Sequence, residues 1–238
     1  MATTNASPRS YAKTLTPIES DPAVFSDLMH SLGISSRLSF TDIWSVEDIA
    51  QLEFVTRPVL ALILVLPTKD EDYAVPPGSA ESSFDFDDGL LWIPQTIHNA
   101  CGLYAILHAT CNSNMREFVA PKSFLDELIS QPPALRSVML EQSSQLETTY
   151  QEAALRGSTA APALDEEVDL HYVCFIKSRT GAVYEMDGDA AGPIETGVQL
   201  NEGDDLLEAS VLKCVRKRIQ KAGAEGSFSL LALAKAVL

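Results

Sequence analysis

The sequence reads QTIHNACGLYAILHATCN over residues 95–112. After the cysteine, leucine and isoleucine recur at the three- and four-residue spacing of one helical face. This pattern predicts a helix from Cys101 to about Asn112, with Asn99 as its N-cap. Cys101 would then lie in the first helical turn, where unpaired backbone N–H groups favour a thiolate over a thiol. A cysteine placed in this way can act as a nucleophile, and a buried, unreactive thiol is the alternative interpretation.

A histidine and an aspartate stand at the outer ends of a hairpin pattern further along the chain. Two strand-like runs, His171–Ile176 and Ala182–Asp187, flank a short turn. If this turn centres on Arg179, His171 lies directly opposite Asp187 and both side chains share one face of the hairpin. A carboxylate beside an imidazole can fix its tautomer and stabilise the imidazolium ion, as in a catalytic triad. A surface His–Asp pair without a role is the alternative.

Gln95 is a candidate for a fourth member of such a site. It stands six residues before Cys101, so its side-chain amide can reach over the start of the helix. Together with the backbone N–H of Cys101, the amide can donate hydrogen bonds to the oxyanion of a tetrahedral intermediate. A solvated loop glutamine is the alternative, and the role of the neighbouring His98 stays open.

Composition excludes several classes of protein. The chain has 238 residues, 46% of them hydrophobic, which fits a globular protein with a sizeable core. Its net charge of −16 repels a phosphate backbone, so nucleic acid is not an expected partner. The longest apolar run, Val59–Leu66, is too short to span a membrane, and the polar N-terminus lacks the apolar core of a secretory signal.

The cysteine content indicates the compartment. Four cysteines without a CxxC pair suggest neither a disulfide scaffold nor a zinc motif, so we expect free thiols, no metal and no cofactor. Reduced thiols are typical of the cytoplasm, which is the expected location, with the nucleus as an additional one. We expect a monomer.

Strands and helices alternate along the chain without a clean linker, which predicts one domain. The N-terminal signal Asp21-Pro22 predicts a helix that ends at Gly33, and Val59–Leu66 has the composition of a buried central strand. The same rules predict a short strand at 40–44, a hairpin at 171–187, helices at 123–130, 134–145 and 206–220, and a strand within 227–236.

Three segments lack a periodic pattern. Residues 1–14 are predicted to form a disordered tail, and residues 68–90 an acidic loop. Residues 145–168 contain few large apolar side chains and are predicted to be a long, mobile surface segment between two ordered parts. A loop of this length inside a domain usually has a functional reason.

Two motifs together resemble those of the ubiquitin carboxyl-terminal hydrolases, a family of papain-like cysteine proteases. They are Gln95-Thr-Ile-His-Asn-Ala-Cys-Gly-Leu-Tyr-Ala-Ile-Leu-His108 and Asp169-Leu-His-Tyr-Val-Cys-Phe, the second continued by Val-Tyr-Glu-Met-Asp-Gly188. The likeness extends over most of the chain, through Pro17-Ile-Glu-Ser-Asp-Pro22, Phe40-Thr-Asp-Ile, Arg57-Pro-Val-Leu-Ala-Leu-Ile-Leu and Phe228-Ser-Leu-Leu-Ala-Leu. The order and spacing of the two motifs make the resemblance specific.

The resemblance implies a fold. We expect an α+β, papain-like domain over residues 15–238, in which helices flank a central antiparallel sheet. The family's chain path is knotted, and the segment before its catalytic histidine crosses over the active site and limits the leaving group. Here that crossover segment would be about 145–168.

The resemblance also implies the roles of four residues. Carried over position by position, Cys101 is the nucleophile and His171 is first the general base and then the general acid. Asp187 orients the histidine, and Gln95 supplies the oxyanion donor together with the Cys101 backbone. The implied mechanism proceeds through an acyl-enzyme.

Ubiquitin is the partner that the resemblance implies. The expected activity is cleavage of small or disordered adducts from the C-terminal glycine of ubiquitin. Ile18 is expected to contact the hydrophobic patch of ubiquitin, with core packing as the alternative, and Asp42 to pair with an arginine of its tail. A ubiquitin-binding module with an inactive triad, or a hydrolase for a ubiquitin-like modifier, are the alternative functions.

Overall fold

The computed structural model of the chain describes residues 11–68, 84–85, 89–158 and 169–236. Most of the predicted acidic loop and part of the predicted crossover segment lie outside these ranges. Of the helices in the described ranges, none has both the length and the apolarity that a membrane span needs.

A six-stranded antiparallel sheet forms the centre of the molecule. The described strands are β1 (Lys13–Thr14), β2 (Leu38–Asp42), β3 (Ala61–Pro67), β4 (Phe84–Asp85), β5 (Leu91–Trp92), β6 (Ile97–His98), β7 (Leu170–Lys177), β8 (Ala182–Met186), β9 (Ile194–Gln199) and β10 (Ser229–Lys235). The central sheet has the order β2-β10-β3-β7-β8-β9, and each neighbouring pair is antiparallel. The predicted central antiparallel sheet is therefore confirmed, whereas β9 was not predicted. The knotted chain path stays a prediction.

Helices pack on both faces of this sheet, as expected. They are α1 (Pro22–Leu32), α2 (Ile49–Leu52), α3 (Cys101–Cys111), α4 (Phe124–Ser130), α5 (Pro133–Gln142), α6 (Ser144–Ala154) and α7 (Ala209–Ala222), and residues Ser113–Phe118 form a 3₁₀ helix. Alternate residues of β7 divide the core in two. Tyr172 and Cys174 pack with α1 and α3, whereas Val173 and Phe175 pack on the opposite face with α7. The sheet thus separates the cysteine helix from α7.

The start of α1 follows the sequence rules closely. The Asp21 carboxylate accepts hydrogen bonds from the backbone N–H groups of Ala23 and Val24 at 2.8 and 3.0 Å. Pro22 occupies the first turn, and Gly33 ends the helix with a φ of +116°. A left-handed residue of this kind closes the last helical turn at little cost only when it is glycine.

The prediction of a loop over residues 145–168 is wrong for its first part. Residues Ser144–Ala154 form α6, whose N-cap Ser143 accepts a hydrogen bond from the backbone N–H of Leu146 at 3.1 Å. Leu146 and Tyr150 are buried. The helix has few apolar residues, but their three- and four-residue spacing is enough to cover one face. Residues 159–168 lie outside the described ranges.

The predicted disordered tail also ends earlier than residue 14. Residues Lys13–Thr14 form β1, which pairs in parallel with Ile97 and His98 of β6. Just before β1, the ring of Tyr11 lies 4.9 Å from the ring of His98, centroid to centroid. Two-residue strands of this kind carry too little sequence pattern to be predicted. Residues 1–10 lie outside the described part of the chain.

Candidate active site

Cys101 is the first residue of α3, as the sequence predicts, but the predicted N-cap is wrong. The cap position is Ala100, which has no side-chain capping bond. Asn99 instead adopts a left-handed backbone with a φ of +58°, which asparagine tolerates better than most residues. The Asn99 carbonyl accepts a hydrogen bond from the Tyr150 hydroxyl at 3.3 Å. The strained turn therefore directs the chain into α3 so that the partly exposed Cys101 begins the helix.

The hairpin brings His171 and Asp187 together through a different register from the one predicted. Cys174 pairs with Met186, which shifts the ladder by two residues relative to a turn centred on Arg179. A shift of two preserves the face to which each side chain points. His171 Nε2 therefore still meets Asp187 Oδ1, diagonally, at 2.8 Å.

The charges of this pair stabilise each other. Burial disfavours the imidazolium form, but the charge and hydrogen bond of Asp187 outweigh it and raise the pKa of His171 well above its usual value. The Cys101 side chain acts in the same direction. Burial likewise disfavours the carboxylate of Asp187, yet His171 and the backbone N–H of Asp189, 2.8 Å from Oδ1, lower its pKa. The arrangement stabilises the imidazolium form that results when the His171 ring accepts a proton from a thiol.

Gln95 lies against the turn that carries Asp187. Its backbone N–H donates to the carbonyl of Gly188 at 2.8 Å. A Cβ on Gly188 would stand 3.0 Å from the Cβ of Gln95, so a larger residue there would push the glutamine away. The side chain is buried, and its Oε1 has no hydrogen-bond partner within the described ranges. Its role as oxyanion donor stays a prediction.

Three buried residues that the sequence did not mark as functional hold the segment before Gln95. The Asn112 side chain donates from Nδ2 to the Leu91 carbonyl and accepts from the Leu91 N–H, at 2.8 and 2.7 Å. Trp92 Nε1 donates to the carbonyl of Asp187 at 3.0 Å. Residues 91–95 thus connect the cysteine helix to the turn that carries Asp187.

His108 is the third of these residues, and its side chain is fully buried. Its Nε2 lies 3.2 Å from both the N–H and the carbonyl of Ile93. Burial lowers the pKa of His108 to about 4, so the ring is neutral at pH 7. The spacing of His108 and Asn112, one helical turn apart on α3, was the available signal for this contact.

One group of side chains has the composition of a cation site. Ligand atoms of His171, Asp187 and Asp189 lie within 4.8 Å of one another. His171 already uses Nε2 for Asp187, and thiol hydrolysis needs this bond and no metal ion. The group therefore consists of the predicted His171–Asp187 pair and the neighbouring Asp189.

Comparison with known proteins identifies the family. The family model described as ubiquitin carboxyl-terminal hydrolase, family 1, matches residues 15–220, most of the chain. The chain belongs to this family. It is accordingly a hydrolase of the cysteine type, which agrees with a cysteine at the start of α3.

Curated relatives extend the match to nearly the full length. The chain is 35% identical over 203 residues to the ubiquitin carboxyl-terminal hydrolase of Aplysia californica, covering 83% of this chain and 92% of that protein. It is 31% identical over 237 residues to ubiquitin carboxyl-terminal hydrolase 3 of Arabidopsis thaliana, covering 97% and 98%. Among solved structures, the UCH37 catalytic domain of Trichinella spiralis, bound to ubiquitin vinyl methyl ester, superposes with a TM-score of 0.68 at 22% identity, covering 93% and 95%. The structural match supports the fold of the family.

The two substrate-binding candidates lie in different surroundings. Ile18 is buried, its backbone carbonyl accepts from the Tyr172 hydroxyl at 2.9 Å, and a Cβ on Gly102 would clash with it at 2.8 Å. This is the packing alternative, and contact of Ile18 with ubiquitin stays a prediction. Asp42 is partly exposed at the end of β2, and burial and the charge of Asp21 raise its pKa.

Proposed function

We propose that this family member is a deubiquitinating thiol hydrolase that removes small or disordered adducts from the C-terminal glycine of ubiquitin. The observation that carries the proposal is the 2.8 Å bond between His171 Nε2 and Asp187 Oδ1, with Cys101 at the adjoining start of α3. Because Asp187 occupies Nε2, Nδ1 is the nitrogen available to the thiol. Nucleophile, base and orienting group then have the roles of a triad.

In the acylation step, Cys101 Sγ attacks the carbonyl carbon of the ubiquitin C-terminal glycine. The thiol proton passes to His171 Nδ1, and the carbonyl oxygen becomes an oxyanion that the Cys101 backbone N–H and the Gln95 amide stabilise. When the tetrahedral intermediate collapses, the bond to the adduct breaks. His171 then gives its proton to the departing nitrogen or oxygen, and a thioester joins Cys101 to ubiquitin.

In the deacylation step, a water molecule replaces the adduct. His171 removes a proton from this water, which attacks the thioester carbonyl, and the proton passes to the sulfur as the thioester breaks. The products are ubiquitin with a free carboxyl group, which then releases its proton to solvent, and the free Cys101 thiol. Asp187 keeps the imidazole oriented throughout.

Two features of the structure support a glycine-ended, basic substrate tail. A narrow cavity of about 40 Å³ adjoins Cys101 and is lined by Ile18, Gly102 and Tyr172, so it excludes larger side chains. Asp42 is close enough to Asp21 for the two carboxylates to repel each other, and a positively charged side chain between them would relieve this repulsion. The net charge of −16 would also attract a basic tail.

All four cysteines are free thiols. Free thiols persist in a reducing compartment, which supports the proposal that the protein works in the cytoplasm. Cys111 and Cys174 are buried, and burial raises the pKa of the Cys111 thiol to about 12 and that of Cys174 further. They are therefore poor nucleophiles beside Cys101.

The test is intact-mass analysis after mixing the protein with ubiquitin that carries a C-terminal electrophile. We expect the mass of one ubiquitin to be added to the native protein and none to the Cys101→Ala variant. Cys214→Ala is the matched control, since Cys214 is also partly exposed. No adduct on folded native protein, or an adduct that survives Cys101→Ala, would overturn the proposal. The same electrophile on a ubiquitin-like modifier tests substrate choice.

A further inference from the structure

Helix α7 carries a concentration of positive charge that is unusual for this chain. It contains no acidic residue, whereas the whole protein has a net charge of −16. Its basic residues are Lys213, Arg216, Lys217, Arg218 and Lys221. They are five of the 17 basic residues of the chain, gathered within nine positions. A surface of this kind attracts negatively charged partners.

A cavity opens beside this helix, on the face of the sheet away from α3. Its volume is about 400 Å³, ten times that of the cavity at Cys101. Apolar side chains form part of the wall, and Lys217 and Lys221 stand at its α7 side. The apolar lining includes Leu66, Phe175, Ala190, Ile194 and Cys214. His171 and Asp187 also line this cavity, so it contacts the catalytic pair from the α7 side of the sheet.

The acidic residues of the wall already have partners. Glu185 accepts a hydrogen bond from Arg218 Nε at 3.0 Å. Asp187 is bonded to His171, and Asp189 Oδ2 lies 3.8 Å from Nδ1 of the same ring. Within the described ranges, by contrast, no carboxylate lies within salt-bridge distance of Lys217 or Lys221. Lys221 acts on Glu185 only through its charge at a longer distance, so both ammonium groups can still form ion pairs with a ligand.

We propose that this cavity, together with Lys217 and Lys221, binds an acidic peptide segment that carries one aromatic or large aliphatic residue. The apolar residue fills the space against Phe175 and Leu66, and its acidic neighbours pair with the two lysines. At about 400 Å³, the cavity is large enough for one bulky side chain together with the backbone that carries it. The partner therefore binds through one anchor with charges around it.

An acidic peptide fits this site better than another polyanion. The apolar wall would gain nothing from a phosphate backbone, and the net charge of −16 repels an extended polyanion beyond the helix. A peptide combines a local charge with an anchor for the cavity. Because His171 and Asp187 form part of the wall, we expect an occupant to change the turnover rate more than the affinity for ubiquitin.

The test uses a short fluorescein-labelled peptide with one tryptophan between glutamate and aspartate residues, titrated by fluorescence anisotropy. Cys101→Ala protein is used, so the result does not depend on catalysis or on the proposed function. We expect Lys217→Glu and Lys221→Glu each to weaken binding about tenfold. Lys213→Glu is the matched control, because Lys213 lies on the same helix with the same charge change but outside the cavity wall. Equal loss in all three variants would show attraction to the whole helix and overturn the proposal.

The apolar half of the proposal has its own test. Cys214→Phe places a larger side chain in the wall, and we expect it to weaken binding of the tryptophan peptide while the thermal unfolding temperature stays within a few degrees. A peptide with serine in place of tryptophan should bind weakly to both proteins. Equal affinity of the tryptophan and serine peptides, or tighter binding of single-stranded DNA or anionic vesicles than of the peptide, would overturn the proposal.

Discussion

The two halves of the active site are held in place in different ways. On the cysteine side, the buried side chains of Asn112 and His108 connect α3 to residues 91–93 by hydrogen bonds. On the histidine side, the β7–β8 ladder extends only as far as the pair Cys174–Met186, and Cys174 lies three residues after His171 in the chain. From that point β7 pairs only with β3 within the described sheet, and Leu66 is the strand neighbour of His171. The first half is fixed by buried side-chain bonds, whereas the orientation of the His171 side chain depends on its hydrogen bond to Asp187.

This difference predicts whether a substitution impairs stability or turnover. Removal of a contact on the cysteine side should destabilise the whole domain, because that contact is part of the core. Removal of Asp187 should leave the fold intact and misplace the histidine, because the bond lies at the open end of a hairpin. Stability and turnover measured on the same variants would separate the two halves.

The largest expected effect is that of Cys101→Ala. Turnover of a ubiquitin C-terminal amide substrate should fall to background, because Cys101 is the thiol whose side chain interacts with His171. Affinity for ubiquitin and the thermal unfolding temperature should stay close to those of the native protein. Calorimetric titration with ubiquitin checks the first and differential scanning calorimetry the second. Turnover that survived the substitution would place the nucleophile elsewhere.

Asp187→Asn should slow turnover about 10³- to 10⁴-fold, because the amide cannot stabilise the imidazolium ion. The backbone bond from Trp92 to the Asp187 carbonyl does not depend on this side chain, so the fold should persist. Glu185→Gln is the matched control. Glu185 is a half-buried carboxylate close to Asp187 in the sequence, but it pairs with Arg218 instead of His171. If both variants slow turnover equally, Asp187 does not have a specific role in stabilising the His171 imidazolium ion.

Stability at acid pH should depend on His108. Its folded-state pKa of about 4 lies below the usual value of 6.5, so the unfolded chain gains a proton before the folded one as pH falls. The free energy of unfolding should therefore decrease between pH 6.5 and 4, by about 3 kcal/mol from this residue. His108→Gln retains a donor near the position of Nε2 and should flatten that decrease in urea titrations. Thr110→Val is the control: it removes a buried hydrogen bond of α3 but no titratable group, so it should keep the slope of the native protein.

Asn112→Ala should lower the free energy of unfolding by about 2 kcal/mol, because it leaves the Leu91 N–H and carbonyl buried without partners. We also expect slower labelling of Cys101 by the ubiquitin electrophile. Thr110→Val removes a buried hydrogen bond within α3 itself and is the control for stability. Labelling rates that fell equally in both variants would contradict a specific role for residues 91–93.

The sequence was enough to predict the periodic helices and strands and the face of the element to which a side chain points. The start of α3 at Cys101 and the shared face of His171 and Asp187 follow from local spacing alone. The register could not be predicted, because Gly181 adopts a φ of +92° and extends the turn by an amount that sequence rules do not specify. The error was harmless for the pair because the shift was an even number of residues.

Contacts between irregular segments could not be predicted. The partners of Asn112 and His108 lie at residues 91 and 93, where the chain has too little regular structure to show a pattern. Helix α6 was missed for a related reason: Leu146 and Tyr150 are buried by contacts with the rest of the domain, and the sequence alone shows only a sparse apolar face. Both cases depend on tertiary packing rather than on local preference.

The position of β10 has a consequence for the synthesis of the enzyme. Residues 229–235 insert between β2 and β3, two strands made far earlier along the chain. Until the ribosome has released these residues, β3 lacks one neighbour, and the strand that carries His171 rests on an incomplete sheet. A nascent chain from which β10 has not yet emerged should therefore be inactive, because the sheet that supports His171 is incomplete.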